Sequence, residues 1–205
     1  HRKLSTEENM LLERSYDGFV RSGALLDEAG KAKLRELSEE SSKLSLLFSQ
    51  NLLKENKAFT LDITDEKQLD GLPDTVREAA RDTAKEQGKE GWVFTLDAPS
   101  YGPFMMYSTQ RDLRKKLYMA RAKQGANDNE NNNLEICKRI VNVRRELAQL
   151  LGYKTYADYV MKYRMASNVK TVYKLLDDLI VAYKPTAIKE SDEVKALAKK
   201  TEGDD

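Results

Sequence analysis

Histidine and cysteine are nearly absent from this chain, and their scarcity excludes much chemistry. In 205 residues His1 is the sole histidine and Cys137 the sole cysteine. Without an interior histidine, Ser–His and Cys–His arrangements have no base to activate a nucleophile. One terminal His and one Cys cannot supply the usual zinc set of three or four His, Cys, Asp or Glu ligands. No internal disulfide can form, so cysteine usage does not mark a compartment. Phosphate-cradling glycine loops are missing as well, since neither G-x-x-x-x-G-K-[ST] nor G-x-G-x-x-G occurs. Neither sign of charge prevails: Lys plus Arg number 35 against 34 Asp plus Glu. The charges are interspersed, which reads as solvated helix faces and excludes nucleic acid and acidic membrane as partners. No apolar run approaches the ~20 residues that a membrane span requires. The start has neither an initiator Met nor a signal peptide, and the finish at Thr201-Glu-Gly-Asp-Asp205 is abrupt. Both ends are therefore expected to be cuts in a longer protein.

What is present is mostly helical patterning. Ser5-Thr-Glu-Glu8 forms a capping box that predicts a helix to about Arg21, stopped at Ser22-Gly23. Leu34, Leu37, Ser41, Leu44 and Phe48 follow at spacings of three and four, predicting a longer helix to about Lys54. Phe59, Leu61 and Ile63 then alternate with Thr60, Asp62 and Thr64, which predicts a half-buried strand. Trp92, Phe94 and Leu96 alternate again further on and predict a second strand. Between them, Pro73-Asp74 opens a helix to about Gln87, closed by Gly88. Pro99, Gly102 and Pro103 are expected to break the chain before a helix over about 109–123. Gly125 to Asn133 has the composition of a loop. From Leu134 an amphipathic helix should reach Leu151 and end at Gly152. Thr155 and Asn168 cap two further helices, the second with Val169, Val172, Leu176, Leu179 and Ile180 on its inner face. Pro185 is expected to kink that helix or start a new one. The fold class is mainly α with a small two-stranded β insertion carried by 59–96, and 1–205 shows no firm internal boundary.

Few side chains are candidates for chemistry. Cys137 falls among Ile136, Ile140, Val143 and Leu147, which predicts a small buried thiol. The carboxylate pairs Asp177-Asp178 and Glu39-Glu40 are helix neighbours, which point apart and suit solvated faces better than acid/base work. Tyr153, Tyr156, Tyr159 and Tyr163 form a cluster in which the last three share a helical face. Core packing with hydroxyls at the rim accounts for them. One wall of a peptide-binding groove is the functional alternative.

Arg144-Arg-Glu-Leu-Ala-Gln-Leu-Leu-Gly-Tyr153, then Tyr156-Ala-Asp-Tyr159 and Arg164-Met-Ala166, resemble the thimet oligopeptidase family of zinc metallopeptidases. That family includes oligopeptidase A and the bacterial peptidyl-dipeptidases. Further family-like pieces occur in order: Leu69-Asp-Gly-Leu-Pro73, then Leu96 with Pro99, Tyr101 and Pro103, then Arg111, Arg114, Tyr118 and Ala120. The resemblance spans nearly the whole chain and leans toward the peptidyl-dipeptidase branch. Where the family usually carries an Arg shortly after the position of Ala120, this chain has Gln124, with Arg121 and Lys123 displaced.

The resemblance implies the N-terminal half of a mostly helical enzyme, built around a channel that admits short peptides and excludes folded proteins. In such enzymes an H-E-x-x-H helix supplies two His ligands and a general-base Glu, and a second helix adds a Glu ligand. The zinc-bound water attacks the scissile carbonyl. None of those motifs is in this sequence, so no catalytic, metal or substrate-contacting residue is assigned to any position. Zinc would belong to the full-length parent and not to this stretch. The expected partners are short peptides for the parent and a C-terminal catalytic half in the same polypeptide, with self-association of the stretch alone. The compartment would be the cytoplasm or periplasm of a bacterium. A freestanding helical binding or scaffold protein without activity is the alternative.

Overall fold

The computed structural model describes residues 3–203. His1 and the final Asp-Asp pair, on which the terminal expectations rest, lie outside the described residues. Among the described residues there are eight α-helices, one short 3-10 turn and one two-stranded antiparallel sheet, in a mainly α fold with a small β element. The chain divides into two compact units, one formed by residues 35–143 and the other by the chain up to Leu34 together with the chain from Arg144.

The unit of residues 35–143 holds the core. It takes most of α2 (Glu28–Ala58), both strands, α3 (Asp74–Glu86), α4 (Ala98–Tyr107), α5 (Arg111–Ala122) and the first part of α6 (Leu134–Leu150). Strands β1 (Leu61–Ile63) and β2 (Trp92–Phe94) pair with Leu61 opposite Phe94 and Ile63 opposite Trp92. Leu61 and Ile63 are buried and Asp62 is exposed, as the alternation predicts. In β2 the intervening Val93 is buried too, so this strand is covered on both faces. Two three-residue strands have no independent stability, and the ribbon is held by packing on helices. Phe94 meets Phe104 of α4 edge to face at 4.7 Å, within a cluster that includes Leu69, Leu72, Ala80 and Leu117. On the exposed side Lys89 ties to Asp62 at 2.9 Å and to the Thr60 hydroxyl at 3.0 Å.

The chain break expected at Pro99–Pro103 does not occur. Pro99, Gly102 and Pro103 lie inside the ten-residue helix α4 instead of interrupting the chain. Pro99 occupies the first turn, where a backbone N–H has no intrahelical partner to lose. Pro103 forfeits one bond, and the loss is offset by complete burial of its neighbour Phe104. Helix α8 (Val169–Glu202) continues past Pro185 without a second helix starting there. The longer helix expected to end near Lys54 runs from Glu28 to Ala58.

The other unit contains α1 (Thr6–Arg21), the start of α2, the end of α6, α7 (Tyr156–Met161) and α8. Its helix ends are where the sequence puts them. Ser5 and Glu8 close a capping box at 3.2 Å and 2.8 Å, and Thr155 with Asp158 closes another. Gly152 takes φ +82°, which ends α6 and lets the Tyr153 N–H reach the Ala148 carbonyl at 2.9 Å. The expected inner face of α8 is not buried: Leu176, Leu179 and Ile180 are exposed, and Val169 and Val172 only half-buried. Periodicity locates an apolar stripe, but what covers it depends on sequence elsewhere.

Candidate functional site

Three of the four tyrosines come together around one cation, and the fourth packs beside them. Arg21, in the last turn of α1, places its guanidinium 4.2 Å from the ring centroid of Tyr159, 5.5 Å from Tyr153 and 5.6 Å from Tyr163. It also donates to the Tyr153 hydroxyl at 3.0 Å. Tyr159 stacks edge-on to Tyr153 at 5.2 Å and lies 5.8 Å from Tyr156, whose ring is faced in turn by Arg144 at 5.4 Å. Tyr163 lies beyond the end of α7, in the turn that follows. Its hydroxyl donates to Asp17, which also accepts from Lys162 at 2.6 Å. The Lys162 and Tyr163 hydrogen bonds hold the Asp17 carboxyl below its usual range. The same carboxylate raises both Lys162 and Tyr163. Arg21, Asp17, Lys162 and the Tyr153 and Tyr163 hydroxyls are all engaged, so the cluster fixes α1 to the segment around α7. The tyrosine spacing was legible in the sequence, but Arg21 and Asp17, more than 130 residues away, were not.

A second polar centre lies in the other unit. Glu55, near the end of α2, is buried to 6% exposure, and among the described residues its partners are amide donors. Its carboxylate accepts from the Gly125 N–H at 2.5 Å, from Asn129 at 2.7 Å and from Asn127 at 3.0 and 3.1 Å. Burial pushes the Glu55 carboxyl up, and the Gly125, Asn129 and Asn127 donors more than cancel it, leaving it below the usual carboxylate range. Asn133 extends the network to Asn51 at 3.0 Å and to the Phe48 carbonyl at 3.0 Å. The Asn-rich loop is thus moulded onto α2. A hollow of about 280 Å³ beside it is lined by Glu55, Phe59, Leu96, Ala120 and Gln124 among others.

Other sequence candidates take ordinary places. Cys137 is exposed, contrary to expectation. It lies about 100° around α6 from the stripe of Ile136, Ile140, Val143 and Leu147, beside the exposed Val141. Glu40 is held by a bidentate Arg139 at 2.6 Å, and Asp178 pairs with Lys174 at 2.7 Å. The displaced Arg121 donates to the Leu96 carbonyl at 2.5 Å and covers the Tyr101 ring at 4.6 Å, while Gln124 donates to Asn56 at 2.9 Å. Among the described residues no group of three or more His, Cys, Asp or Glu side chains could hold a metal ion. The described residues do not fit zinc. Among the described residues no helix is long and apolar enough to cross a membrane.

Residues 104–205 match the family model for peptidase family M3. This half of the chain is family M3 sequence. The likeness to family members runs further still. Over 203 residues, 97% of the chain, it is 34% identical to oligopeptidase A of Haemophilus influenzae, and that stretch is 30% of the relative. Oligopeptidase A of Escherichia coli is 32% identical over 96% of the chain and 29% of its own length. Dipeptidyl carboxypeptidase of Escherichia coli is 29% identical over 98% of the chain and 30% of its own length. The chain therefore spans about 30% of the length of these relatives. Identity is higher to oligopeptidase A than to dipeptidyl carboxypeptidase, which shifts the likeness away from the peptidyl-dipeptidase lean.

Proposed function

We propose that this chain is the non-catalytic, N-terminal helical part of a zinc-dependent oligopeptidase or peptidyl-dipeptidase, and that it forms one flank of the channel that admits short peptides. Similarity along 97% of the chain to oligopeptidase A carries the reading. The residue inventory supports it, because one terminal histidine and one exposed cysteine do not make a zinc centre. In this reading the metal, its ligands and the general base belong to sequence that follows this chain in the parent. Substrate selection by exclusion falls to the helical wall, with the Tyr153–Tyr163 cluster bracing α1 rather than taking part in bond cleavage. The substrate class is short peptides.

The test is to read the parent gene past the codon for Asp205. An in-frame His-Glu-x-x-His with a Glu further on is the expected result. A stop codon close to Asp205 would leave a helical binding or scaffold protein, and the enzymatic reading would fall.

A further inference from the structure

Helix α8 carries an apolar stripe that stays bare. Leu176, Leu179, Ile180, Tyr183, Val194 and Leu197 each keep between 42% (Leu179) and 67% (Val194) of their surface exposed. At 3.6 residues per turn all six fall within a sector of about 100°. Lys170, Lys174, Asp177, Asp192, Lys195 and Lys199 occupy the opposite side. Val181 and Ile188 lie among those charges as single apolar residues, which protein surfaces tolerate. From Leu176 to Leu197 the stripe runs about 32 Å, with Glu190 inside its sector between Tyr183 and Val194. Large apolar side chains left bare in line on one helix face mark an interaction surface.

We infer that the α8 stripe is the docking surface for helices of the polypeptide that follows this chain in a family M3 protein. The inference rests on the peptidase reading and names the partner of that flank. Three observations support this occupant. The family match at 104–205 takes in the whole of α8, so the stripe is family sequence and not a tail peculiar to this chain. Relatives that match along 97% of the chain devote only 30% of their length to it, which leaves ample sequence to cover the helix. Over the whole of α8 seven Lys stand against six Asp and Glu, whereas a helix lying on an acidic membrane would carry a clear excess of Lys and Arg. A stripe spaced by threes and fours on a long helix is matched by another helix packing ridges into grooves.

Thiol labelling tests it. In a Cys137→Ser background, Ile180→Cys places a probe on the stripe and Lys170→Cys a control on the polar side. Both are made in the 205-residue chain and in the product of the complete open reading frame, and maleimide labelling rates are compared. Ile180→Cys is expected to react about tenfold or more slowly in the longer protein, with Lys170→Cys unchanged. Val194→Cys repeats the test further along the helix and serves if Ile180→Cys fails to fold. Equal rates in the two proteins overturn the inference. Protection already present in the 205-residue chain and deepening with concentration makes a second copy the occupant and also overturns it. An open reading frame ending at Asp205 removes docking and the peptidase reading together. An unprotected stripe in a longer protein that cleaves peptides removes docking alone.

Discussion

At the scale of single residues, Glu55 and Gly71 are the positions where a small change should be felt most. Glu55 is a buried carboxylate satisfied wholly by amide donors. Glu55→Gln turns one acceptor into a donor facing other donors, and should destabilise the 35–143 unit by about 1–3 kcal/mol in urea denaturation. The pH dependence follows from the lowered carboxyl. Its contribution is complete above the unfolded value, near 4.5, and is lost as pH falls through the lower folded value. Wild-type stability should drop below about pH 4.5 more steeply than that of Glu55→Gln, and equal acid profiles would contradict the assignment. Gly71 holds φ +83°, and a Cβ there would press on the Tyr107 carbonyl oxygen. Gly71→Ala is expected to cost about 1–3 kcal/mol, because neither the backbone nor that oxygen can give way cheaply. These two sites differ in legibility. Leu69-Asp-Gly-Leu-Pro73 was visible as a motif, whereas nothing near Glu55 announced that Gly125, Asn127 and Asn129 would close on it.

Among the elements, helix ends were the easiest part to read and helix faces the hardest. Capping boxes at Ser5 and Thr155 are local chemistry, settled within four residues, and the structure has both. Proline was over-weighted in α4, since a missing hydrogen bond is a fixed local loss that burial can outweigh. Pro185→Ala restores the bond to the Val181 carbonyl and should raise the thermal midpoint by circular dichroism; an unchanged or lower midpoint would show that the proline fits without loss. Cys137 was misassigned by one position on the helical wheel, which is enough to move a side chain from a stripe to solvent. The join between α1 and α7 depends on Arg21. Arg21→Ala removes its contacts with three tyrosine rings and should cost about 1–2 kcal/mol, with α1 losing amide protection before the rest. Uniform protection across the variant would count against that role.

For the whole molecule, the family resemblance was legible because several short motifs fall in order along the chain, and the similarity to oligopeptidase A spans 97% of it. The fold class followed from periodicity alone. What periodicity leaves open is the cover of an apolar stripe, and α8 was expected to be buried by a neighbour that the 205 residues do not supply. That stripe and the 30% share of a relative's length support the proposed reading of a helical part that packs against further sequence. The most direct measurement is hydrolysis of short peptides with added zinc, by the purified 205-residue chain and by the product of the complete open reading frame. The account predicts no turnover from the chain and zinc-dependent turnover from the longer protein. Zinc-dependent turnover by the 205-residue chain itself would contradict it.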